Sequence, residues 1–265
     1  MSSSVQFYLA IFIFLMTYAG IMSEKIHRTI CALAGGGAMI YFGLVTQEQA
    51  ITEFIDFNTL GLLTGMMILI SVVKQSGFFQ VLALWALKKS KGSPGELLIL
   101  LSIVTAVGAA LIDSVTAALL IAPMTISLCR MLRMSPVPIL ISEILMCNIG
   151  GTALMIGNPP NVMIGSATHL DFNDFLINLA PVVVITVIVI LIAVLLIFKN
   201  DFSSVRMSAK ELEKIDIMSG VEDKSIFSRS LMVLAFTVLG FVVHSHFGLE
   251  SATVAMTGGM AALLF

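Results

Sequence analysis

Long apolar runs, each ended by a small cluster of charge, recur along this chain and decide the medium in which it folds. A helix needs about 20 mainly apolar residues to cross a bilayer. Runs approaching that length cover Val5–Met22, Thr29–Val45, Thr59–Val73, Pro181–Phe198 and Ser230–Phe247. Only 11% of the 265 residues are charged and 58% are hydrophobic, against about 25% charged in soluble domains. Mean hydropathy is +1.05. One small core cannot hide that much apolar surface, so an ordinary soluble enzyme and a disordered chain are excluded. A net charge of −2 and a pI near 6.1 provide no basic surface for nucleic acid. The expected fold class is an all-α integral membrane protein, its lipid partner a plasma membrane (the inner membrane in a bacterium or archaeon). The first run is too long for a signal-peptide core and reads as a retained span. Cys31, Cys129 and Cys147 lie far apart in apolar stretches and read as small buried side chains, with no disulfide framework or zinc site.

Charge placement orients the spans. Lys25/Arg28, Lys88/Lys89/Lys91, Arg130/Arg133 and Lys199/Arg206 belong on the cytoplasmic side by the positive-inside rule. The acidic loops at 48–56 and 171–174 then lie outside, as does the amino terminus. Residues 78–87, with Trp85 and the lysines at one end, read as an interfacial helix. The segment 96–129 begins and ends at positive clusters and so enters and leaves on one side. Two crossings or a re-entrant hairpin both satisfy this. The short tip at Asp113-Ser114 favours the hairpin, which is tolerated only where protein or a wet cavity surrounds it. A broken span covers 136–165, and residues 200–229 form a cytoplasmic hydrophilic linker with mixed charge.

The chain also resembles itself. Thr29–Phe42 and Ala252–Phe265 align without gaps at five of fourteen positions, including Gly35/Gly258 and Gly36/Gly259. At the same offset of 223, Tyr8–Met22 falls on Leu231–Ser245. A first repeat over 8–199 would hold an odd number of crossings, so a second repeat starting in 230–265 would be inverted. Inverted repeats with broken helices characterise secondary transporters. Carried past Lys199, the offset leads to an expected whole chain of about 420 residues, of which this is the first part.

Two segments carry the chemistry. At the hairpin tip, Asp113 or Ser114 can cap the helix that follows, aiming its free N–H groups into the protein. Ser114 and Thr116 add hydroxyls, and a carboxylate here can also hold a hard cation. In the broken span, Asn148-Ile149-Gly150-Gly151-Thr152 leads to Gly157-Asn158-Pro159-Pro160-Asn161. Glycines weaken the helix and the tandem prolines remove two N–H donors. The expected result is unpaired carbonyls, available to ions, water or substrate. Glu143 is either a proton or cation site inside the membrane or a residue of the cytoplasmic interface. His244 and His246 sit on different faces, against a shared metal, and His27 and His169 read as interfacial. No nucleophile elbow, phosphate loop, zinc motif or dinucleotide fingerprint occurs, so no enzyme activity and no cofactor are expected.

At these segments the chain resembles the ion-transporter superfamily of arsenite permeases, the P protein of pigment cells, D-type sodium–proton antiporters, and citrate and dicarboxylate transporters. CNIGGTALMIGNPPNVMIG (Cys147–Gly165) resembles the family's SNIGGT…GDPPN element, and LIDSVTAALLIAPMTI (Leu111–Ile126) its LDNVTT…LLAP element. The arsenite permease and P protein branch is the most similar. The resemblance implies a homodimer in which a transport part slides as an elevator past a scaffold. The tip residues Asp113, Ser114 and Thr116 and the loop residues Asn148, Gly150, Gly151, Thr152, Asn158 and Asn161 would form a clamshell around substrate and coupling ion. Sodium, if used, would sit transiently at Asp113 and Asn148. Ser114 stands where the family often has Asn, Cys147 where it often has Ser, and Asn158 where it often has Asp. The expected function is transport of an anion such as arsenite or a carboxylate, coupled to H+ or Na+. A sodium–proton antiporter and a non-transporting membrane scaffold are the alternatives.

Overall fold

A computed structural model describes residues 3–199, 216–221 and 223–264. The helices are α1 (Ser3–Met22), α2 (Arg28–Tyr41), the short α3 (Gln47–Gln49), α4 (Phe57–Gln75), α5 (Phe78–Lys89), α6 (Pro94–Leu111), α7 (Ser114–Met131), α8 (Val137–Gly151), α9 (Pro159–Thr168), α10 (Phe172–Asn178), α11 (Ala180–Ile197), α12 (Lys224–Val243) and α13 (Ser251–Ala262). Six helical stretches are long and apolar enough to cross a membrane: Ser4–Met22, Phe57–Gln75, Pro94–Leu111, Ser114–Met131, Ala180–Ile197 and Lys224–Phe247. α5 and α2 are not among them. For α5 this accords with an interfacial helix: Phe79, Ala83, Ala86 and Leu87 are buried while Trp85 stays exposed. For α2 it shortens the expected span 29–45. The helix ends at Tyr41 and the chain turns through Gly43 at φ +68°. Most of the expected linker 200–229, with Arg206, lies outside the described residues. Its last part is helical already, because Asp223 accepts from Ser225 N and starts α12 ahead of Ser230.

The chain divides into two compact units, Met1–Phe57 and Asn58–Phe265. In the first, α1 and α2 form a hairpin. Thr17 donates its hydroxyl to Ile13 O of its own helix. It packs against Gly35, where a Cβ would lie 2.2 Å from Thr17 Oγ1. Near the turn, Gly20 faces Cys31.

In the second unit, α12 and α13 form a hairpin with the same two contacts. Thr237 donates to Val233 O and packs against Gly258, where a Cβ would again lie 2.2 Å from the hydroxyl. Gly240 faces Val254. Thr17/Thr237 and Gly20/Gly240 are 220 residues apart, whereas Cys31/Val254 and Gly35/Gly258 are 223 apart. The constant offset taken from sequence therefore misplaces the first helix of each pair by three residues. The difference is absorbed in a longer connection between α12 and α13. Of the aligned pairs, Phe42/Phe265 falls partly outside the described residues.

Two apolar clusters organise the rest of this unit. One joins α4 (Leu62, Leu69, Val73) to Ile112, to Ile156 and to Phe172 and Phe241, whose rings stack 5.5 Å apart. The other joins α5, α6, α7, α8 and α11 through Leu87, Leu98, Leu101, Leu128, Ile139 and Leu191. α6 and α8 approach closely because Gly150 faces the carbonyl of Ala106, where a Cβ would lie 2.2 Å from the oxygen. Among hydroxyls, Ser102 and Ser142 pair across this contact at 2.6 Å.

His244 is buried at the end of α12. Its Nδ1 lies 2.7 Å from Phe241 O and its Nε2 3.1 Å from Ser251 Oγ, with Asp171 3.8 Å away. His246 is exposed on another face.

Candidate functional site

Each half of the site is made by a helix that stops inside the protein. α6 ends at Leu111, and α7 starts at Ser114 with Asp113 as its cap. Asp113 Oδ1 and Oδ2 accept from Val115 N at 3.0 Å and Thr116 N at 3.1 Å. α8 ends at Gly151. After a 3-10 turn at Met155–Gly157, α9 starts at Pro159, and prolines suit a helix's first positions because the N–H groups there have no helical partner.

The two halves are tied together: Ser114 donates its hydroxyl to Asn158 Oδ1. Gly151 lies against the same side chain, and a Cβ there would come within 2.8 Å of it. The amino ends of α7 and α9 therefore meet, beside the carboxyl ends of α6 and α8. Amino ends carry partial positive charge, which favours anions; here Asp113 takes the N–H groups of Val115 and Thr116, and the two prolines that open α9 have none.

Asn161 departs from the expectation that the broken span leaves its carbonyls open. Its amide donates to Leu154 O at 3.0 Å and lies 3.3 Å from Gly151 O and 3.4 Å from Thr152 O. The break is held by this one side chain. The helix also persists further than the glycines suggest, through Gly150 and Gly151. Gly150 serves the close contact with α6 and is not an opening.

The nine residues expected at the tip and loop divide accordingly. Asp113, Ser114, Thr116, Gly151, Asn158 and Asn161 are brought together. Gly150 packs behind them. Asn148 and Thr152 lie one turn apart on an exposed face of α8 and donate to their own helix, at Ile144 O and Ile149 O. Glu143 is elsewhere. It is 3% exposed and accepts from Thr125 Oγ1 of α7 at 2.5 Å. It is therefore enclosed by protein.

A cavity of about 420 Å³ opens beside the tip and break. Asp113 and Thr116 line one side, and α4 contributes Ser71 and Lys74 to the other. Lys74 read from sequence only as the charge that ends a span.

A family model described as "Citrate transporter" matches residues 18–263. The chain belongs to the citrate transporter family. Relatives of similar sequence include the 46 kDa membrane protein of Mycobacterium leprae, 34% identical over 253 residues, 94% of this chain and 59% of that protein. An uncharacterized transporter of Mycobacterium tuberculosis (strain H37Rv) is 36% identical over 257 residues, again 94% of this chain and 58% of the relative. The human P protein is 41% identical over 167 residues, 60% of this chain and 20% of that protein. The chain thus spans under two thirds of the length of these curated relatives. The family's description and the name of the Mycobacterium tuberculosis relative are those of transporters.

Proposed function

We propose that the protein is a secondary active transporter of small anions, coupled to H+ or Na+, with its substrate at the meeting of the tip and the break. A carboxylate such as citrate is the first candidate, in keeping with the family, and an oxyanion such as arsenite the second. The observation that carries this is the Ser114–Asn158 bond, which brings two helix amino ends to one point. Both Asp113 oxygens serve as caps, and an amide stands at 158 in place of the family's frequent carboxylate. The partial positive charge of two helix amino ends, with Lys74 on the wall of the adjoining cavity, suits an anion better than a bare cation.

We read α6–α7 as a re-entrant hairpin because its tip meets the break at Asn158, part-way along a broken helix, and its two ends lie at positive clusters. The matched Thr–Gly contacts of α1–α2 and α12–α13 support duplication of one helical hairpin. An odd number of crossings between the copies would invert them, as in transporters that alternate access by sliding one part past another. A homodimer in a plasma membrane with an external amino terminus fits this reading.

Uptake of radiolabelled citrate into proteoliposomes under an imposed pH or sodium gradient tests it, with arsenite in a parallel assay. A pH gradient that responds to sodium with no anion present would point instead to cation exchange.

A further inference from the structure

Glu143 is not part of the tip or the break, yet it has the most unusual surroundings of any acid described. It lies six residues after Val137 in α8, about 9 Å along the helix, and is 3% exposed. Thr125 Oγ1 donates to its Oε1 at 2.5 Å. Its Oε2 is buried and has no hydrogen-bond partner. Among the described residues, no Lys, Arg or His forms an ion pair with it.

The elements packed on α8 confirm the isolation. α6 contributes Ser102, whose hydroxyl is taken up by Ser142, and its one acid, Glu96, is at its far start. α7 contributes Thr125 and, one turn on, the buried Cys129. α11 carries no titratable side chain, nor does the 3-10 turn Met155–Gly157. The other titratable neighbour is Cys147, one turn along α8 itself. Two thiols and a hydroxyl cannot balance a carboxylate.

A buried charge without a partner is strongly disfavoured. A hard cation would gather about six oxygens, and here the carboxyl and one hydroxyl are the ready donors. A proton needs one oxygen, and the free Oε2 is that oxygen.

We infer that Glu143 is a proton-carrying site within the α6–α7–α8 packing, separate from the substrate site and coupled to it through α8, whose far end forms the break. In the neutral acid the proton rests on Oε2 while Thr125 holds Oε1. Release returns the proton to water and leaves the carboxylate, so the chemistry is complete without a further reactant. This rests on the transporter reading, and it names the coupling ion as H+.

Infrared difference spectra between acid and alkaline buffer test the site in the purified protein in lipid, with the proton itself as ligand. Wild type should show a carboxylic-acid carbonyl band that exchanges slowly in D2O. Glu143→Gln should lose it, and Thr125→Val should shift it. Absence of the band from wild type, or its persistence in Glu143→Gln, overturns the proposal. Should Glu143→Gln fail to fold, Thr125→Val decides: a band that does not move also overturns it.

The coupling is read with radiolabelled citrate as the probe. Glu143→Gln should keep citrate exchange across the membrane and lose accumulation driven by a pH gradient. Full pH-driven accumulation in Glu143→Gln contradicts the role. Failure of wild type to move citrate at all would count against the proposed substrate, while the infrared result would still decide the proton site.

Discussion

Pro159 and Pro160 remove two N–H donors where α9 begins, and Asn161 supplies a donor to the carbonyls left behind. Its amide reaches Leu154, Gly151 and Thr152. Leaving buried backbone acceptors unpaired costs about 1–3 kcal/mol. Asn161→Leu should therefore lower unfolding stability in detergent by about 2 kcal/mol, whereas Asn148→Leu, on an exposed face, should change it little. Equal losses would contradict the distinction. The sequence pointed to both asparagines, since amides among glycines and prolines at depth stand out. It did not separate their roles, because which carbonyls lie within reach depends on how the break folds. Glu143 shows the same limit: seven residues after Pro136, its enclosure by protein became legible only in the packing of α6 and α7. The cap was legible to within one residue, Asp113 or Ser114, because that role needs only the next three residues. Asp113→Ala should destabilise by about 1 kcal/mol through the lost cap.

At the scale of elements, the two hairpins make a sharper case for duplication than the alignment that first suggested it. Small residues recur by chance in membrane helices, but here the same pair of contacts recurs in both. Gly35→Ala and Gly258→Ala should each push a methyl group into a threonine hydroxyl at 2.2 Å. Both should lower the melting temperature, and the companion changes Thr17→Ala and Thr237→Ala should restore part of it. Rescue in one hairpin without the other would argue against common packing. The register of α1 on α12 was not legible, because the glycine-rich second helices fixed the offset and the connection lengths differ. The turn between α6 and α7 at Asp113 was legible from its short polar tip. The meeting of that tip with Asn158 came only from the resemblance, since no local pattern encodes a contact across 44 residues.

For the whole molecule, the expected inversion has a direct consequence. The connection after α1 and the connection after α12 should face opposite sides of the membrane. With Cys31, Cys129 and Cys147 replaced by alanine, Ser23→Cys and His246→Cys should react with an impermeant maleimide from opposite sides of sealed vesicles. Labelling from one side would end the inverted-repeat reading. The apolar composition, most of the long apolar helices and the two breaks at 112–113 and 152–158 were readable in the sequence, because the bilayer imposes length and polarity on each element separately. Lys74 and Ser71 beside the tip were not, because α4 reaches the cavity only through tertiary packing.

The central claim is that the Ser114–Asn158 tie between the tip and the break builds the transport site. Exchange of radiolabelled citrate in proteoliposomes, compared between wild type and Ser114→Ala at equal thermal stability, tests it most directly. The account predicts robust exchange in wild type and a fall of about tenfold or more in the variant, the equivalent of one lost hydrogen bond. Exchange at the wild-type rate in Ser114→Ala would contradict it.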